Sequence, residues 1–172
     1  MTAKFITLGA RAALFPLALS LTLAPGVAQA QRYAQVIGND MSLCSNGGGP
    51  AVRLTIEGLR SNSGNLFVRT YYARSSDWLK SKRYLTRLDT SPRAGSMTVC
   101  VPLPSTGNFA IAVQHDVNGN REVDFSIDGA GMSNNPKIGN FIGIPLPPSV
   151  GKASFTAGSG VADMRITMRY RD

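Results

Sequence analysis

The chain has 172 residues, 43% of them hydrophobic and 8% aromatic, with 18 Lys and Arg against 10 Asp and Glu, a formal charge of +8. That length holds one domain with a real core. Beyond the first thirty residues no segment is apolar enough to cross a bilayer, and no aromatic-plus-basic motif of the nucleic-acid-binding kinds occurs.

Residues 1–30 read as a secretory signal peptide. Lys4 and Arg11 precede or flank the apolar run Ala12–Leu23, and Ala28-Gln-Ala30 supplies a small-residue cleavage site. The run is shorter than the ~20 residues of a membrane span and is interrupted by Pro16. Cleavage after Ala30 leaves 142 residues (172 − 30) and a charge of +6, from 16 basic and 10 acidic residues. A periplasmic or secreted monomer is expected, and the charge suits either plain solubility or contact with an anionic envelope surface or another envelope protein.

Residues 31–51 form a polar lead-in that ends in the turning stretch Asn46-Gly-Gly-Gly-Pro50. The only two cysteines are Cys44 and Cys100. In an oxidising compartment they are expected to pair, since CxxC spacing and histidine partners for a redox or metal role are missing.

Two-residue periodicity begins at residue 52 and defines a β domain over 52–172. Val52, Leu54 and Ile56 alternate with polar neighbours, and Leu66, Val68 and Thr70 alternate with Phe67, Arg69 and Tyr71. Arg60–Gly64 between them reads as a hairpin-like turn. Ser76–Asp89 breaks the rhythm and predicts a short helix or packed loop, with Ser76 or Asp77 as its cap. Arg69–Arg93 holds seven basic residues and two acidic ones, which fits a solvated face.

Met97, Val99 and Val101 mark a further strand, and Phe109, Ile111 and Val113 another, separated by a link with Pro102 and Pro104. Since Val99 and Val101 take the core face, Cys100 points outward. The disulfide should therefore clamp the lead-in over an outer face or edge. Lys152–Ala157 is a short strand, and Met164, Ile166, Met168 and Tyr170 line one face of the last. The pattern predicts an all-β, antiparallel sandwich of about six to eight strands.

Between the strands lies Asp116-Val-Asn118-Gly-Asn120-Arg-Glu122-Val-Asp124. Its oxygen-bearing side chains fall at positions 1, 3, 5, 7 and 9 of an EF-hand-type calcium loop. Position 6, which should be glycine, is Arg121, whose charge would compete for the carboxylates; position 12 is Ile127, with Asp128 one place late. A calcium site on Asp116, Asn118, Asn120, Glu122 and Asp124 and a metal-free Asx turn both fit. His115, the only histidine, continues the Phe109-Ile111-Val113 face and reads as a packing residue that orders the loop with Asp128 and Asn134. An enzyme would use it with Asp116 as orienting partner, though no GxSxG context accompanies it.

Phe109-Ala-Ile-Ala-Val-Gln-His115-Asp116, Asn118, Asn120 and Asp128-Gly-Ala-Gly-Met-Ser-Asn134-Asn-Pro136 resemble the bacterial family known as domain of unknown function 2141. The resemblance spans about Val52 to Tyr170 and implies an exported immunoglobulin-like or transthyretin-like β-sandwich with no established activity. Many relatives carry glycine at the position of Arg121 and an aromatic at that of Met132. Three functions follow as expectations. The first is a non-catalytic exported module presenting loop 116–136, with or without calcium. The others are a hydrolase or isomerase using His115 and Asp116, and a structural envelope protein that contacts anionic glycan or lipid.

Overall fold

The computed structural model describes residues 33–141 and 144–171. The expected signal peptide, 1–30, lies outside the described residues. Eleven strands are present among them: β1 Gln35–Ile37, β2 Ala51–Leu59, β3 Asn65–Tyr72, β4 Thr86–Thr90, β5 Gly95–Pro102, β6 Gly107–Asp116, β7 Gly129–Met132, β8 Gly139–Phe141, β9 Ile144–Leu146, β10 Ser154–Ala157 and β11 Val161–Thr167. A one-turn helix, α1, spans Val150–Ala153, and a 3-10 turn spans Met41–Cys44. Among the described residues no helix is long and apolar enough to cross a membrane.

The strands form two packed sheets and a small ribbon, β8-β9. The larger sheet runs β1-β4-β3-β6-β10, with β7 also on β6; the smaller runs β11-β2-β5. Pairing is antiparallel except for β1 with β4 and β11 with β2. The apolar alternation in the sequence becomes the core: Val52, Leu54, Ile56, Val99 and Ile166 of the smaller sheet meet Leu66, Val68, Phe109 and Ile111 of the larger, all at most 1% exposed. Each such side chain contributes roughly 1.5–3 kcal/mol of burial, an upper figure because the unfolded chain is already partly collapsed.

The Arg60–Gly64 turn corrects the hairpin expectation. It joins β2 in one sheet to β3 in the other. Side-by-side pairing would leave both apolar faces uncovered, whereas crossing between sheets lets them bury each other. The Ser76–Asp89 segment is a packed loop followed by β4, and Leu79 and Lys82, both at φ +57, prevent a continuous helix. Trp78 anchors it, donating from Nε1 to the Pro148 carbonyl at 2.9 Å and meeting Tyr71 edge-on at 5.3 Å. Asp77 fastens the same loop by accepting from Arg83 Nε (2.9 Å) and the Tyr33 hydroxyl (3.0 Å).

Cys44 and Cys100 are bonded, with Cα atoms 5.7 Å apart. As the strand phase requires, Cys100 faces away from the core, and the 3-10 turn covers it. Asn39 Oδ1 accepts the Cys100 N–H at 2.9 Å, and Arg53 donates to the Cys44 carbonyl at 2.6 Å. The lead-in thus shields β5, an edge strand.

Candidate functional site

The end of β6 sends consecutive side chains to opposite faces. His115 goes to the core side and is fully buried. Its Nε2 lies 2.9 Å from the Ser63 carbonyl and its Nδ1 lies 2.6 Å from the Tyr170 hydroxyl. A carbonyl can only accept, which assigns the proton to Nε2 and leaves Nδ1 to accept from Tyr170. That hydroxyl in turn accepts from the Arg60 N–H at 3.1 Å. His115 therefore pins β6 to the inter-sheet turn and to the chain's end. Both nitrogens are engaged and neither meets Asp116, so the orienting pair that an acid–base reading needs is not formed.

Asp116 faces the other way and is equally buried. Its Oδ2 accepts from Asn65 Nδ2 at 2.9 Å and from the Arg121 N–H at 3.0 Å. Gly64 lets this happen: at φ +76, a Cβ placed there would fall 1.8 Å from the Asp116 carbonyl. Asn118 Oδ1 accepts from the Asn120 N–H (3.1 Å), and Asn120 Oδ1 from the Glu122 N–H (2.8 Å). These are successive Asx turns. Arg121 itself takes φ +66, the left-handed backbone that glycine supplies in calcium loops. Its guanidinium does not compete for Asp116 as the sequence suggests; it reaches Asp89 at 2.8 Å and lies 5.0 Å over the Phe67 ring.

The remaining candidate ligands are spent on the loop's own frame. The Glu122 carbonyl accepts from Gln114 Nε2, and Asp124 Oδ1 accepts from the Ser126 N–H and hydroxyl. The Ser126 hydroxyl bond, seconded by its N–H, holds the Asp124 carboxyl below its ordinary value. Asp128 accepts from Val117 N–H through Oδ1 (3.1 Å), and from Gln114 Nε2 (3.1 Å) and Asp124 N–H (3.0 Å) through Oδ2. Among the described residues no three His, Cys, Asp or Glu side chains gather as a metal centre. Asp116, Asn118 and Asn120 share one turn, and Asp116 Oδ1 is buried with no hydrogen-bond partner among the described residues.

The Ser133-Asn134-Asn135 stretch closes the fold. β3 takes one side of β6, so β7 and β10 share the other, and Ser133 fills the gap between them at Ile111. Ser133 accepts the Ile111 N–H on Oγ, donates its own N–H to the Ile111 carbonyl, each at 2.9 Å, and donates its hydroxyl to Ala153. Asn134 donates to the Ser154 carbonyl at 2.6 Å; Asn135 donates to the Arg165 carbonyl and accepts the Thr167 N–H, so it reaches the smaller sheet. These motif residues hold strands together.

Loop 121–128 also walls a groove of about 1120 Å³ on the outer face of the larger sheet. Leu79–Lys82, Lys137–Gly139 and Arg169–Arg171 complete its sides. Eight of its lining residues are Lys or Arg and two, Asp124 and Asp128, are acidic. Val123 and Phe125 stand 59% and 53% exposed on the loop wall. Half-buried Arg69 lies on the floor, where burial lowers its guanidinium's pKa and its one hydrogen bond among the described residues is to Gln114 Oε1, at 3.0 Å. Tyr71 beside it is pushed up to about 12 by burial. No motif in the sequence marks this groove. The available signal was the outward phase of β3 and β6, which carries Phe67, Tyr71, Ala110 and Ala112 where a solvated face would be polar.

A sequence model of the family described as "Uncharacterized protein conserved in bacteria (DUF2141)" matches residues 54–165, most of the chain. No curated protein and no solved structure matches it significantly.

Proposed function

The chain belongs to the DUF2141 family of bacterial proteins, and on that premise we propose that it is an exported, non-catalytic binding module whose binding element is the loop 117–128, the part of the expected 116–136 loop that precedes β7, with the groove it walls. One observation carries this reading. Val123 and Phe125 are held out to solvent on a loop whose base is fixed by Asp116 and Asp128. Large apolar side chains on a rigid, concave wall favour ligand capture, because little ordering entropy remains to be lost on binding. The test uses the fluorescent dye ANS. Saturable binding by the wild type should be lost in a Val123→Ser/Phe125→Ser variant of unchanged melting midpoint; unchanged dye binding in that variant would remove the loop from the site.

A second reading, calcium assistance, is favoured by the buried Asp116 Oδ1, which has no hydrogen-bond partner among the described residues. A buried carboxylate oxygen without a donor calls for an ion or a water. A calcium ion would be held by Asp116, Asn118 and Asn120, with a weak, extracellular-type affinity of about 10⁻⁴–10⁻³ M, because no bidentate acid closes the loop. Millimolar calcium should raise the melting midpoint of the wild type but not of Asp116→Asn. Identical melts in calcium and EDTA would sink it.

A further inference from the structure

The register of the larger sheet sets four outward-facing residues in one row across the strands. Arg87 of β4 pairs with Arg69 of β3, Arg69 with Ala112 of β6, and Ala112 with Met132 of β7. At about 4.8 Å per strand the row spans roughly 14 Å. Its first half is cationic and its second half apolar.

The cationic half carries unbalanced charge. Arg69, Arg87 and Arg121 each place a guanidinium over the same Phe67 ring, at 5.3, 5.1 and 5.0 Å. The carboxylate hydrogen-bonded to this group is Asp89, which is shared by Arg87 (2.6 Å) and Arg121 (2.8 Å). Arg69 receives a neutral amide oxygen. Three cations with one anion, crowded against a buried aromatic, make a site for an added anion. The apolar half, Ala112 and Met132, is floor packed into one buried cluster with Tyr71 and Trp78, and the exposed apolar surface is Val123 and Phe125 on the adjoining wall.

We infer that the groove holds one molecule of an anionic single-chain amphiphile, its headgroup on Arg69, Arg87 and Arg121 and its acyl chain along the exposed Val123 and Phe125 wall. This inference rests on the reading of the groove as the binding site and adds the class of its ligand. Charge complementarity selects the anionic head, and concavity selects a single molecule over a bilayer surface. Arg69 sits on a central strand of the sheet, which a flat membrane resting on the exposed rim would not reach.

Trp78, the chain's only tryptophan, reports on the site through Tyr71, a lining residue that it meets at 5.3 Å. The experiment titrates the full chain with palmitic acid below its micelle concentration, in calcium-free buffer, and follows Trp78 fluorescence. Palmityl alcohol and vesicles of anionic phosphatidylglycerol serve as comparisons. Saturation at one molecule per chain is expected, with affinity at least tenfold weaker for the alcohol and for Arg69→Met. Arg121→Gln, on the exposed loop, should weaken the acid severalfold, and it keeps the test decisive if Arg69→Met does not fold. Three outcomes would overturn the inference: no saturation, equal binding of alcohol and acid, or response to vesicles alone. The ANS measurement separates the two levels. Retained dye binding with no fatty-acid binding overturns only the ligand class, whereas loss of the loop's part in dye binding overturns the site itself.

Discussion

The two outer faces of this sandwich are treated in opposite ways. The outer face of β11-β2-β5 is tied down: the Cys44–Cys100 bond and Asn39 close its β5 edge, and Arg53–Asp163 and Arg165–Glu57 ion pairs cross its surface. The outer face of the larger sheet is covered at one end by Trp78 and α1 and left open at the other as a cationic, partly apolar groove. A face whose polar and apolar groups already have partners has no need of a ligand. Among the described residues the groove presents more cations than carboxylates and leaves Val123 and Phe125 exposed, and the proposed binding function rests on that asymmetry.

Removing the disulfide attacks the closed face and should have the largest effect. Its 56-residue separation gives about 4 kcal/mol of loop-closure entropy. Cys44→Ala/Cys100→Ala should therefore lower the melting midpoint by roughly 10–20 °C. ANS binding by the folded fraction should persist, and its loss in step with stability would show that the faces are not independent. His115→Ala should cost roughly 3 kcal/mol in urea unfolding, because it empties a buried site and strands the Ser63 carbonyl and the Tyr170 hydroxyl. A near-neutral value would contradict its role as a pin.

Asp77→Asn loosens the groove's outer wall and should cost about 2 kcal/mol. The wild-type carboxyl lies below its ordinary value: burial pushes it up, but hydrogen bonds from Arg83, Tyr33 and Ser76 outweigh that. A depressed folded-state pKa contributes stability in full above the unfolded-state value, and this is lost as pH falls through the folded-state value. Denaturant midpoints should thus fall more steeply below about pH 4 in wild type than in Asp77→Asn. Parallel pH profiles would exclude Asp77 as a source of acid sensitivity. Arg69→Met should change stability least, by under about 1 kcal/mol, while weakening anion binding most.

The sequence made legible whatever depends on near neighbours. The long strands β2, β3, β5, β6 and β11 show themselves because each has one face in the core, and the outward Cys100 follows from the same alternation. The chain's Gly129-Ala-Gly-Met132 reads as a loop, yet it is β7. Its first glycine is small because Tyr170 packs against it; a Cβ there would meet that ring at 2.4 Å. Strand β4 hides because Leu88 is its single apolar residue. Sheet membership of β2 and β3 depends on long-range pairing, and the Arg60–Gly64 turn carries no mark of it.

The same division holds at the site. The Asp116–Glu122 turns follow from residues two apart, so their side chains could be named in advance. Arg121 shows the limit: its charge is visible in the sequence, but its direction is fixed by Asp89 and Phe67, more than thirty residues earlier. The groove joins seven separated stretches of chain, from Arg69 to Arg171, and is visible only once they are assembled.

The most direct measurement of the central claim is an amide NMR titration of the protein with ANS. The account predicts shift changes confined to the outward-facing positions of β3, β6 and β7 and to loop 121–128, with Cys44, Asn39 and the strand around Cys100 unmoved. Changes centred on the disulfide-covered face, or spread evenly over both faces, would contradict it.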